Sequence, residues 1–149
     1  MRRFQFRLER VLDWYGNQFQ IEQAKLAASM AALNALQRNM ASFHAECLSV
    51  ERDILSRRDI AARDFPALGL YRLRARKLEQ EFSQELQRRE QAVRDQMQQV
   101  QEAQRRLRLL EKLRDRRLAE HRYNEDKELE ALAAEAFLAK WEHRGRSRP

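Results

Sequence analysis

The chain has 149 residues, 36% of them charged and 43% hydrophobic, with only three glycines and two prolines. So few turn formers in an alphabet of Ala, Leu, Gln, Glu and Arg exclude a compact globular core and favour long helices. Thirty Lys and Arg against 23 Asp and Glu leave a net charge of +7, which favours acidic partners without choosing among nucleic acid, an anionic membrane and an acidic protein.

The start, "MRRFQFRLERVLDWYG", is basic like a signal peptide, but Arg7, Glu9, Arg10 and Asp13 stand where an apolar run would be needed. No segment reaches the length of a membrane span, and a cytosolic protein is expected. Cys47 is the single cysteine, so no intrachain disulfide and no Cys-rich zinc site is expected.

Steps of three and four from Leu12 give Leu12, Tyr15, Phe19, Glu22, Leu26, Ser29, Leu33, Leu36, Met40, Phe43, Cys47, Val50 and Ile54, with only Glu22 and Ser29 polar. This is a heptad stripe, which two helices keep buried by supercoiling. It predicts a first helix from about Phe4 to Ala62. Pro66 and Gly69 fall close together in "RDIAARDFPALGLYR", so a bend is expected over about 63–67, with Asp64 as a cap.

A second helix is expected over about 67–141, its stripe running Leu78, Phe82, Leu86, Val93, Met97, Val100, Leu107 and Leu110. Leu107, Leu118 and Leu129 then recur every eleven residues, a period that relaxes the supercoil. Only the tail, 143–149, is expected to be disordered.

Folding the chain back near residue 65 brings Leu12 to Leu118, Phe19 to Leu110, Leu33 to Met97 and Cys47 near Phe82. Glu22 is expected to meet Arg105 or Arg108 and to fix the register. The fold predicted is all-α: one long antiparallel two-helix coiled-coil hairpin. Its core is Leu12, Phe19, Leu26, Leu33, Met40, Cys47, Ile54, Val93, Met97, Val100, Leu107, Leu110 and Leu118. At 1.5 Å per residue the helices would be roughly 90 and 110 Å long, the C-terminal one overhanging.

No phosphate-binding glycine loop and no serine nucleophile elbow is present, so no enzyme, cofactor or small-molecule substrate is expected. His44, His121 and His143 lack metal-ligand spacing, and Glu120, His121 and Glu125 are ordinary for a solvated helix face. Trp141, on the overhang, is a candidate anchor for another protein. The arginines of 105–122 are interspersed with Glu111, Asp115 and Glu120, unlike the near acid-free basic regions of zipper DNA readers.

The opening "FQFRLERVLDWYGNQFQIEQAKLAASMAALNAL" and the late "LRLLEKLRDRRLAEHRYNEDKELEALAAEAF" resemble the FliJ family of flagellar export proteins. An early "F.FRLE.VL" segment with a following Glu and a late "LEKL..+R..E" run recur in that family. The resemblance spans nearly the whole chain. It implies a stalk-like antiparallel coiled coil that docks its terminal end into the hexameric flagellar export ATPase, touches the cytoplasmic part of the export gate and associates with substrate chaperones. By this resemblance the ATPase-facing residues would be Arg2, Arg3, Phe4, Phe6, Arg7, Arg114, Arg116, Arg117 and Arg122. The gate-facing ones would be Leu36, Phe43, Tyr71, Leu78 and Phe82.

The function expected is that of a non-enzymatic coupling stalk, held at the cytoplasmic face of the membrane through the export apparatus. The alternatives are a basic coiled-coil protein that binds nucleic acid and a generic coiled-coil adaptor.

Overall fold

A computed structural model describes residues 3–57 and 64–146 of the chain. It contains two helices, α1 over Glu9–Leu55 and α2 over Asp64–Arg146, packed against each other as an all-α hairpin. The chain divides into two compact units: Met1–Asn17 with Gln104–Pro149, and Gln18–Ala103.

Within the second unit the pairing is antiparallel. Phe43 and Phe82 bring their rings to 5.5 Å, and farther from the ends that meet, Glu22 bonds Gln96. Along α1, every member of the three-and-four series from Leu12 to Ile54 is buried or half-buried. Leu12, 7% exposed, is the one buried side chain among the described residues. A seam of two helices has only one layer of knobs, so each leucine keeps an edge in water.

The helix bounds differ from expectation. α1 begins at Glu9 rather than Phe4, with the Glu9 amide bonded to the Phe6 carbonyl at 3.1 Å and Leu12 to Leu8 at 2.9 Å. Its acidic Glu9 and basic Arg52 sit in the first and last turns, where they suit the helix dipole. α1 ends at Leu55 rather than near Ala62. Ser56 donates its hydroxyl to the Asp53 carbonyl at 3.0 Å, and the Arg57 amide reaches Ile54 at 3.4 Å, a tightened last turn of i to i+3 kind.

The bend expected over 63–67 lies partly outside the described residues, and from Asp64 onward the chain is helix. Pro66 therefore stands in the first turn of α2, where its missing N–H removes no helical bond. At the other end His143 continues α2, which runs to Arg146 instead of stopping near Trp141.

The register is shifted as well. Phe43 faces Phe82, where folding about residue 65 puts Gln87. His44 Nε2 stands 3.2 Å from Glu79, where the same rule puts Leu86. Cys47 lies beside Tyr71, Ala75 and Glu79. Glu22 meets Gln96 and not Arg105 or Arg108.

Met97, expected in the core, is 46% exposed, and Leu78 is 44% exposed. The seam row of α2 in this unit runs through Leu68, Tyr71, Ala75, Phe82, Leu86, Val93, Gln96 and Val100, all half-buried. In the terminal unit it continues as Leu107, Leu110, Arg114, Leu118, His121 and Glu125, also half-buried. The span from Leu107 to Leu118 is the eleven-residue step seen in the sequence; Leu129 and Leu132, which continue it, are exposed.

Candidate functional site

Residues 3–6 precede the first turn without regular structure, and burial alternates along them. Phe4 and Phe6 are half-buried while Arg3, Gln5 and Arg7 are exposed. The Phe4 ring meets His121 of α2 edge-on at 5.6 Å. His121 Nδ1 lies 3.5 Å from Glu125 Oε2 one turn on.

Beside these rings an open groove of about 600 Å³ is lined by Phe4, Phe6, Arg7, Leu113, Arg117 and His121, with Glu120 and Asn124 at its edge. Its lining combines aromatic and aliphatic side chains with Arg7, Arg117 and one carboxylate, Glu120. Arg117 donates to Glu120 at 3.0 Å, and Arg114 stands 3.8 Å from Asp115. Exposed pairs of this kind hold at most about 1 kcal/mol, so either arginine can exchange its carboxylate for one on another molecule.

Of the nine residues assigned to an ATPase contact, Arg2 lies outside the described residues. Arg3, Phe4, Phe6, Arg7, Arg114, Arg116, Arg117 and Arg122 all belong to the terminal unit. Arg116, Arg117 and Arg122 face outward, whereas Arg114 is half-buried in the seam row, between Leu110 and Leu118. Its aliphatic stem takes the place of a leucine and its guanidinium reaches the edge. The sequence puts His121 on a solvated face, whereas it is half-buried and its ring meets Phe4; its one signal is its place in phase with Leu107, Leu110 and Leu118.

The five residues assigned to a gate contact all lie in the other unit. Phe43 and Phe82 are engaged with each other, and Leu36 and Tyr71 are half-buried. Tyr71 is hydrogen-bonded to Cys47; that bond, then burial, then the nearby charges of Cys47, Glu46 and Glu51 raise its phenol above the usual range. Leu78 alone of the five is exposed.

Deeper along the same seam, Gln96 Nε2 donates to Glu22 Oε2 at 2.5 Å and to the Glu22 carbonyl at 3.2 Å, while Lys25 Nζ donates to Glu22 Oε1 at 2.8 Å. The bond from Lys25, and after it the bond from Gln96, holds the Glu22 carboxyl below the usual glutamate range.

Among the described residues no group of three His, Cys, Asp or Glu side chains is placed to hold a metal ion. No helix among them is long and apolar enough to cross a membrane. Set against models of protein families, curated proteins and solved structures, the chain matches none of them.

Proposed function

We propose that the protein is a non-enzymatic coupling stalk of a flagellar type III export apparatus. Its terminal unit binds the hexameric export ATPase. Its other unit contacts the cytoplasmic part of the export gate, with substrate chaperones as further partners, and the protein is held at the cytoplasmic face of the membrane through that apparatus. The reading draws on the resemblance of the two end segments to the FliJ family. The observation that carries it is the groove in which Phe4, Phe6, Arg7 and Arg117, from opposite ends of the sequence, line one surface of apolar and basic side chains. Such a surface suits a subunit edge that offers a hydrophobic anchor ringed by carboxylates.

The test is ATP turnover by the purified export ATPase with and without the stalk. Arg7→Glu with Arg116→Glu and Arg117→Glu reverses three outward charges and leaves the half-buried Arg114 in place. The variant is expected to lose stimulation while its circular dichroism melt stays that of the parent. A folded variant that stimulates turnover like the parent would reduce these arginines to a solvated face. Arg114 and Arg117 lie beside Asp115 and Glu120, which disfavours a phosphate-tracking surface. Gel-shift titration against salt checks that alternative, nucleic-acid binding giving a steep slope.

A further inference from the structure

At the start of α2 the helix carries leucines on the side where its packing requires none. The seam row there is Leu68, Tyr71 and Ala75, all half-buried. Opposite to it, by the 3.6-residue period, runs Pro66, Leu70, Leu73 and Lys77. Leu70 is 60% and Leu73 66% exposed, and Gly69, just before Leu70, borders open space. The same outward row continues as Gln80, Gln84, Gln87 and Gln91, all exposed. The outer face of the helix is thus apolar in its first turns and polar along the glutamine row from Gln80 to Gln91.

The charge around the apolar part is of one sign. From Phe65 to Lys77 the chain has no acidic residue, and Arg72, Arg74, Arg76 and Lys77 are its only charges. Arg72 is drawn to Glu51 across the seam at 3.1 Å. No carboxylate among the described residues pairs with Arg74, Arg76 or Lys77. On the helical wheel Arg74 flanks one edge of the leucine row and Arg76 the other.

We propose that this face docks on an anionic lipid bilayer. Leu70 and Leu73 enter the headgroup boundary, and Arg74, Arg76 and Lys77 reach up their aliphatic stems to the phosphates. Apolar side chains flanked on both edges by long cations, without interspersed acids, are the pattern of a helix lying in a membrane interface. An acidic helical protein could meet the cations too, but the absence of any negative residue to set pairing and register favours a surface of uniform sign. The proposal goes beyond the coupling-stalk reading, in which membrane proximity comes through the export apparatus, and it stands or falls independently of it.

The experiment uses the full chain with Cys47→Ala and an environment-sensitive dye on a single cysteine, either Leu73→Cys or Gln91→Cys. These two positions share one helix row. Vesicles containing phosphatidylglycerol are compared with vesicles of phosphatidylcholine alone. The expected result is co-sedimentation with the anionic vesicles only, with a blue shift of the dye at residue 73 and none at residue 91. Leu70→Ser with Leu73→Ser, both exposed and so without effect on the melt, should lower partitioning about tenfold or more.

Equal binding by that double variant would overturn the proposal and assign the attraction to net charge alone. So would a dye at residue 73 that stays in water. Absence of binding to anionic vesicles would overturn it as well and return the face to an acidic protein.

Discussion

Along α1 the row facing the seam is apolar except at Glu22 and Ser29, whereas the seam row of α2 takes in Gln96, Arg114, His121 and Glu125 among its leucines. Both rows are half-buried to a similar extent. A two-helix seam is thin enough that a long polar side chain can lay its stem across it and keep its head at the edge. One helix can therefore carry the apolar side of the contact almost alone. The partner helix is then free to place charged groups in phase with the seam, and it is there that His121 meets Phe4 and Gln96 meets Glu22.

Truncation separates the two rows most sharply. Leu12→Ala, at the one buried position among the described residues, should cost about 2 to 4 kcal/mol, and half-buried Leu33→Ala about 1 to 2 kcal/mol. Met97→Ala, on the exposed flank of α2, should cost less than about 1 kcal/mol. Urea unfolding followed by circular dichroism gives all three. If Met97→Ala costs as much as Leu33→Ala, the seam row of α2 passes through Met97 and the contrast between the helices is lost.

Cross-linking sharpens the same contrast through register. In a Cys47-free background, cysteines at Phe43 and Phe82 should close an intrachain disulfide under mild oxidation, and cysteines at Leu33 and Met97 should do so slowly or not at all. A fast intrachain link at Leu33 and Met97 would restore a register centred on residue 65. Products that are exclusively intermolecular for both pairs would rule out the hairpin.

What could be read from the sequence follows the same division. The α1 row was legible residue by residue because each of its knobs but two is apolar, and the hairpin followed from one long heptad and one Pro–Gly interruption. The α2 row was legible only where leucines happened to hold it. Met97 drew attention away from Gln96, one residue earlier and in the true phase.

Pro66 alone could not place the bend, because a proline in a first helical turn removes no helical bond and α2 is already helix from Asp64. The register is displaced likewise at Glu22, Phe43 and His44. Of the candidate groove, the basic run and the opening Phe4, Phe6 and Arg7 were visible as two separate stretches, the opening one as part of the first helix. That Phe4 should rest on His121 depends on the register and could not be read from either stretch alone.

The smallest effect probes the polar layer, where the two rows meet through Glu22 and Gln96. Because the Glu22 carboxyl lies below the usual glutamate range when folded, the unfolded chain takes up its proton first as pH falls, and stability declines over that interval. The contribution of Glu22 is thus present above the unfolded value and lost as pH falls through the folded one. Comparing the parent with Glu22→Gln across the acid range should give a stability difference that is positive near neutrality and disappears at low pH. The bond from Lys25 comes from an exposed side chain, so salt should shrink the difference. Gln96→Leu should shrink it less at low salt, because Lys25 is the larger cause of the depression. A difference that stays flat through the acid range, or grows as pH falls, would mean that Glu22 gains nothing from its partners and that the polar layer serves register alone.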